Sequence, residues 1–530
     1  MDDDEFRAAA VEVIDYIISY QRTIRERAPL PSVAPGYLRQ LVPDEAPAAP
    51  DSWRDVLADV ERVIQPGMTH WHSPQFHAFC PLANSPPALL AEMLAHGLSC
   101  VGLNWEAAPA CLELEVVVLE WVAKLLQLPD TFVSRSGAGA GGGVITGSAT
   151  EGVLVTVIAA RERALARLRA ADAELDETVA RGRLVAFTSC QANPAIQRAA
   201  ATAEVRLRAL PTDAACSLRG HTLRRAVEEE LAAGNVPIYV VATLGTTSTC
   251  AFDPLDELGA VCRQHALWLH VDAAYAGAAL ICPEFRHLLH CGVDDVTSLS
   301  FNAHKWLLVN FDCGLLWVRD AAELSEANRI DAPYLDTAET TLPNFRNWSL
   351  ALGRRFRALK LWFVLRLYGT SGLQDYIRGH VRLAKQFEAL VRQDERLELA
   401  APVAMGVVCF RVRGEGNAAT AELLRRVTDA RRVYMVKTEL PNGLLAARFV
   451  VVSRVATDED IRVSWEEIRR HVDTAIDSAA PDGRCESVPD TGHVATCPCT
   501  TKRNGFMTNK TVSERWRMLL LLHKVGYRPH

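Results

Sequence analysis

Two polar residues carry the most chemistry in this chain: Asp272, which ends the apolar run 267–271, and Lys305, which follows the run 297–301 and closes the tetrapeptide Asn302-Ala303-His304-Lys305. Short β-branched and apolar runs of this kind read as strands. In an open α/β sheet, residues just beyond the carboxyl ends of strands line the ligand crevice. A carboxylate, a lysine and the small, flat-packing Ala274 gathered there suit pyridoxal phosphate: Lys305 for the Schiff base, Asp272 for the ring nitrogen and Ala274 against a ring face. Taken singly, Asp272 reads equally as a turn cap and Lys305 as a solvated surface residue. Their company points to the cofactor.

A phosphate needs its own cradle. The segment GGGVITGSAT, 141–150, precedes a helical run over 151–171, and free N–H groups at a helix start attract phosphate while glycines allow close approach. Ser148, Ala149 and Thr150 are therefore the expected cradle. No Walker A lysine follows, and no G-x-G-x-x-G with a suitable acidic partner, so nucleotide binding is not indicated. Runs at 184–189 and 237–243 read as further strands, ending in Cys190-Gln191-Ala192-Asn193-Pro194 and Leu244-Gly245-Thr246-Thr247. Thr246 and Thr247 are placed to bond the cofactor or to shape a turn, and Asn193 before proline has the same two readings.

These positions require an α/β lobe with a mostly parallel sheet, expected over 86–360, where helical periodicity alternates with short apolar strands. Before it, residues 1–85 should form a helical arm: an amphipathic helix over 5–27, a proline-rich extended stretch, and the aromatic segment HWHSPQFHAFCP, 70–81. Its three histidines lack the spacing and further ligands of a metal site, so the segment is expected to line a pocket, with Phe79, Pro81 and Leu103 facing substrate. Residues 361–478 should build a smaller α+β lobe with strands at 407–412 and 447–453 and helices at 372–395 and 458–476. The tail, 479–530, changes to Pro, Thr, Gly and Asn and should be disordered but for a short helix near 512–523. Its Cys485, His493, Cys497 and Cys499 lack paired zinc knuckles.

At 530 residues the chain exceeds one core, and its net charge of −7 argues against a nucleic-acid partner. No apolar run reaches the roughly 20 residues that span a bilayer, and the start, MDDDEF, is unlike a secretory signal. The 14 cysteines, scattered through apolar segments, read as buried thiols in a reducing cytosol.

GGGVITGSATE, VATLGTT, WLHVDAAYAG, FNAHKWLLVNFDC and LGRRFRALKLWFVLRLYG together resemble the aromatic L-amino-acid decarboxylases, pyridoxal-phosphate enzymes of the aspartate-aminotransferase fold (fold type I). The resemblance extends from residue 1 to about 475. It implies that Lys305 is the Schiff-base lysine, that Asp272 pairs with the ring nitrogen and Ala274 packs under the ring. It further implies that Ala149, Thr150 and Asn302 hold the phosphate, that His270 and His304 line the site, and that Tyr334 on a loop after the lysine protonates the substrate carbon. It also implies a homodimer with active sites at the subunit interface.

One departure bears on the product. Where decarboxylases of the family carry a histidine over the cofactor face, this chain has Asn193, as the insect aldehyde synthases of the family do. Imidazole can relay a proton near neutral pH and a carboxamide cannot. A carbanion left unprotonated is open to O2, and the outcome is then an arylacetaldehyde, 3,4-dihydroxyphenylacetaldehyde if the substrate is L-dopa, with ammonia and hydrogen peroxide. In insects that aldehyde cross-links flexible cuticle, a role the resemblance carries by analogy only. PNFRNW (343–348), LAKQF (383–387) and RVYMVK (432–437) also resemble that branch. Cys190, Pro194, Thr150 and Ala303 depart from both branches, and Pro194 restricts the backbone of Asn193. Three readings stay open: an aldehyde synthase using O2, an amine-forming decarboxylase in which Tyr334 alone supplies the proton, and a cofactor-binding protein without activity.

Overall fold

The computed structural model describes residues 1–133, 141–329, 343–414 and 416–479. Seven strands form one sheet: β1 (Gly142–Thr146), β2 (Leu184–Ser189), β3 (Arg206–Leu210), β4 (Val236–Thr243), β5 (Trp268–Asp272), β6 (Ser298–Asn302) and β7 (Gly314–Val318), in the order β1-β7-β6-β5-β4-β2-β3. From β3 to β6 the neighbours are parallel, and β7 runs antiparallel to both β6 and β1. Strands β2, β5, β6 and β7 are buried along their whole length, as strands covered on both faces must be. Alternate side chains divide between two cores: Phe187, Val240, Leu269 and Phe301 enter one, Ala186, Tyr239, Trp268 and Leu316 the other.

A second, wholly antiparallel sheet contains β8 (Leu397–Leu399), β9 (Val407–Val412), β10 (Val436–Glu439) and β11 (Leu445–Val450), in the order β10-β11-β9-β8. Its own core gathers Phe387, Phe410, Phe449 and Trp465, with Phe387 and Phe449 stacked at 3.7 Å between centroids. The two sheets share the helix Arg357–Gln393, which kinks at Gly369 (φ 65°). Its residues Ala358 to Ile377 belong to the large core and Leu383 to Val391 to the small one, so the boundary expected at 360/361 falls inside this helix. The helix expected over 458–476 is split at His471 into Asp458–Arg470 and Val472–Ala479.

The glycine-rich segment expected to lead into the phosphate cradle is mostly strand β1. Glycine is needed there for packing: a Cβ on Gly143 would lie 2.7 Å from the indole Nε1 of Trp317 on the neighbouring strand. The loop proper is only Gly147-Ser148, and Gly314 lets it lie against β7, since a Cβ at 314 would meet the Ser148 carbonyl carbon at 2.9 Å. A buried ion pair fixes β1 from the other side. Arg354 donates two hydrogen bonds to Glu115, at 2.6 and 3.0 Å, and one to the Ile145 carbonyl, while Glu115 accepts from the Ile145 N–H at 2.7 Å.

The N-terminal helix is Asp3–Arg22, closed by a capping box of Asp2 and Glu5. Only Ala9 of it is buried, and Phe6, Val11, Ile14 and Ile18 are exposed in the single chain. The arm is tethered instead by polar contacts: Trp53 Nε1 donates to Glu12, and the Tyr20 hydroxyl bonds His70 Nδ1 at 2.8 Å. His77 bonds the Val450 carbonyl and Ser464, and no three His, Cys, Asp or Glu side chains among the described residues are grouped to hold a metal. No helix among them is long and apolar enough to cross a membrane. Most of the described cysteines are buried, but Cys291 is exposed. The expected tail helix and the tail cysteines lie outside the described residues, as does Tyr334.

Removing one partner of the buried pair leaves an uncompensated charge. Glu115→Ala should therefore lower unfolding stability by about 3–5 kcal/mol, read as a shift in denaturant midpoint, and a shift within error of wild type would refute the assigned role.

Candidate active site

The carboxyl ends of β2, β4, β5 and β6 and the start of the helix Ala149–Ala171 enclose a cavity of about 210 Å³. Ala149 and Thr150 come from the helix start, Asn193 from beyond β2, Thr243, Thr246 and Thr247 from β4 and its turn, Asp272 and Ala274 from β5, and Asn302 and Lys305 from β6. Each of these except Thr243 was expected from the sequence. Ser148 does not line the cavity, because its hydroxyl caps the helix by accepting from the Glu151 N–H. The Asn302 side chain accepts from the Ala149 N–H at 2.8 Å, which ties the helix start to the β6 end.

Asp272 is fully buried. Burial pushes its carboxyl up from the usual carboxylate range, while the charge of Lys305 and a hydrogen bond from the Ala274 N–H, at 2.9 Å, pull it back down. Lys305 sits on the short helix Ala303–Trp306, which is anchored by a 3.0 Å hydrogen bond from Trp306 Nε1 to His380 Nδ1. Thr246 is a turn former: its hydroxyl accepts from the Ala251 N–H and bonds Thr249. Thr247 instead reaches into the cavity and accepts a hydrogen bond from Asn193 Nδ2 at 2.9 Å.

Asn193 caps the helix Pro194–Thr202, its Oδ1 accepting from the Ala195 N–H at 2.9 Å. Proline occupies the first helical position, where its missing N–H is harmless, and holds Asn193 extended at φ −64°, ψ 135°. Both ends of the amide are thus engaged within the chain.

The donor set fits pyridoxal phosphate. Thr150 at a helix start offers its N–H and hydroxyl to a phosphate, an amine and a buried carboxyl stand where an aldehyde and a pyridine nitrogen would, and Thr243 Oγ1, buried on the same wall, has no hydrogen-bond partner in the protein. Residues 35–413 match the family model described as the pyridoxal-dependent decarboxylase conserved domain. The chain belongs to the pyridoxal-dependent decarboxylases. Its cofactor is pyridoxal phosphate and its chemistry that of a lyase.

The decarboxylase is 49% identical over 471 residues to the 3,4-dihydroxyphenylacetaldehyde synthase of Drosophila melanogaster, covering 88% of this chain and 92% of that protein. It is 47% identical over 472 residues to the aromatic-L-amino-acid decarboxylase of Rattus norvegicus, covering 88% and 98%. Among solved structures, Oryza sativa TDC with PLP and tryptamine matches at a TM-score of 0.85 and 36% identity, covering 90% of this chain and 99% of that one.

Several expected residues of the decarboxylase lie away from the cavity. His270 shares a face of β5 with Asp272 but sits deeper, its ring between the hydroxyls of Ser298 and Ser300 and stacked on Tyr239. His304, also buried, directs its ring to the 311–313 segment, where Nδ1 accepts from the Cys313 N–H at 2.8 Å and Phe311 meets it edge-on. Burial, then the charge of Lys305, pushes His304 down to about 4. Phe79 is stacked on Trp71 and 46% exposed, Pro81 is buried and Leu103 half-buried; none of the three lines the cavity of the single chain. Conversely, besides Thr243, sequence reasoning missed Cys80 and Arg448 in the cavity wall. Arg448, 3% exposed in an otherwise apolar strand, was the one visible signal.

Burial pushes the imidazole of His270 down to about 3. The unfolded chain, with an ordinary value near 6.5, therefore takes up the proton first. Wild-type stability should fall relative to a His270→Asn variant as the pH drops from about 6.5 toward 3, by up to several kcal/mol, and the gap should be constant above pH 7. Denaturant midpoints of both proteins across that range check this; parallel curves would show that His270 titrates normally.

Proposed function

We propose that this decarboxylase converts an aromatic L-amino acid, L-dopa in the first instance, to the arylacetaldehyde. The balance is amino acid, O2 and water giving aldehyde, CO2, NH3 and H2O2. Pyridoxal phosphate, bound through Lys305, supplies an electron sink for the bond electrons left as CO2 departs. The product then depends on the protons this chain can deliver to the reacting carbon.

The observation that carries the reading is Asn193 in the cavity wall, its amide bonded at one end to Thr247 and at the other to Ala195. A carboxamide has no proton to give near neutral pH. His304, next to Lys305 in sequence, faces away from the cavity, and His270 lies behind it, so neither replaces the missing imidazole. Loss of a general acid is worth about 10²–10⁴ in rate, roughly 3–5 kcal/mol, enough for O2 to compete for the electrons. Similarity to the Drosophila synthase supports the same outcome. Arg448 is the buried cation the chain offers a substrate carboxylate, since its Nε has no protein partner. The exposed apolar set Phe6, Val11, Ile14 and Ile18 on the arm supports a homodimer.

An amine product is the second reading, supported by the similarity to the rat enzyme and by the presence of Tyr334 in the sequence. Incubating the holoprotein with L-dopa in air and measuring amine, aldehyde and peroxide together separates the two. Aldehyde and peroxide should form in equal amounts, whereas stoichiometric dopamine without peroxide removes the first reading. In Asn193→His the amine share should rise and the peroxide share fall; an unmoved product ratio would mean residue 193 does not govern the proton. Arg448→Met should raise KM for the amino acid by about 10- to 100-fold with a smaller change in kcat, the loss of one hydrogen bond to a charged group. An unchanged KM would place the carboxylate elsewhere.

A further inference from the structure

We infer that Cys80 is an oxidation site of this enzyme: hydrogen peroxide formed in the cavity converts its thiol to the sulfenic acid, and this limits the number of turnovers. The inference rests on the aldehyde-forming reading, which supplies the peroxide. Cys80 shares the cavity wall with Lys305 and Asn193 and is half-buried, whereas Cys250, Cys262 and Cys313 are sealed in the core. A thiol in a wall is not by itself a site. The same cavity, however, is lined by two residues more than nine-tenths buried that carry unpartnered polar atoms, Arg448 with its Nε and Thr243 with its Oγ1. Arg448 also donates through Nη1 to the carbonyl of Phe79, so its guanidinium is held next to Cys80 along the chain. Once the substrate carboxylate has left as CO2, Arg448 is free to hold a peroxide oxygen against the sulfur.

The step balances without a further reactant. The sulfur lone pair attacks one peroxide oxygen, an S–O bond forms as the O–O bond breaks, and the thiol proton leaves with the departing hydroxide as water: RSH and H2O2 give RSOH and H2O. Sulfur loses the two electrons that peroxide gains. Relief by a second thiol is disfavoured, because Cys409 and Cys250 are fully buried and burial pushes Cys409 up to about 12 and Cys250 higher. Neither supplies the thiolate that disulfide formation needs. A second peroxide then gives the sulfinic acid, which is not reversed by thiols. A sulfinate at position 80 pairs with Arg448 and removes the partner of the next substrate carboxylate.

The test uses holoenzyme turning over L-dopa in air, with peroxide assayed in solution and peptides analysed by mass after trapping sulfenic acids. The Cys80 peptide should gain one or two oxygens in proportion to turnovers and ahead of exposed Cys291, and peroxide added to resting holoenzyme should show the same preference. In Cys80→Ser, turnovers completed before half the variant's own initial rate is lost should rise about threefold or more. Peroxide accumulating with Cys80 unmodified overturns the inference and leaves the aldehyde reading intact. So does an aldehyde adduct in place of added oxygen, or a Cys80→Ser variant that inactivates at the wild-type turnover number. Absence of peroxide in the solution assay strikes the aldehyde reading itself, and the inference with it.

Discussion

The molecule is arranged around a carboxyl buried at the floor of its cavity. Asp272 ends β5 buried: burial pushes its carboxyl up from the usual range, and the charge of Lys305 and one backbone N–H pull it back down. Burial acts in one direction and these two act in the other, so the state of the carboxyl is decided by whatever cationic group next approaches it. A protonated pyridine nitrogen is such a group. The register makes the meeting possible: Asp272 is paired with Ser300 on β6, and a single short helix past the end of that strand brings Lys305 back toward it. Trp306, buried and bonded to His380, keeps that helix from moving the amine away.

A second constraint brings the small lobe to the same place. Residues 76–83 thread between the two sheets. His77 donates its N–H to the Tyr434 carbonyl and accepts from the Val450 N–H, Phe76 bridges to Tyr434, and the Ala83 N–H reaches the His304 carbonyl at 2.7 Å. Main-chain bonds to β11 on one side and to the lysine helix on the other leave this segment little freedom. They explain why Cys80 and Arg448, far apart in the chain, meet on one wall.

What could be read from sequence follows the range of the interactions involved. Strand ends are local events, so Asp272, Ala274, Lys305, Asn193 and Thr247 could be placed in one crevice from their runs alone. Depth along a strand is not local: His270 and Asp272 share a face, and only the serines of β6 decide that the histidine points into protein rather than ligand. The glycines of β1 were misread because a glycine run before a helix looks like a phosphate loop, while the reason for glycine, the indole of Trp317, lies on a strand much later in the chain. The helix Arg357–Gln393 hid the lobe boundary by serving both cores. Cys80 and Arg448 depended on the packing of the two sheets, which periodicity within either one does not encode.

The fold alone is neutral between amine and aldehyde, because both outcomes share the same sink for electrons and the same lysine. On the proposed reading the division lies in geometry at residue 193. An asparagine free to rotate would let water or a neighbouring donor take its place near the reacting carbon. Here Pro194 sets the backbone, Ala195 holds the carbonyl end and Thr247 the nitrogen end, so the amide stands as a fixed wall with no acidic proton. A difference of roughly 3–5 kcal/mol is small beside the whole acceleration of an enzyme, but it is the size that separates two fates of one carbanion. A single immobilised side chain can therefore redirect the product while every element that binds the cofactor stays as it was.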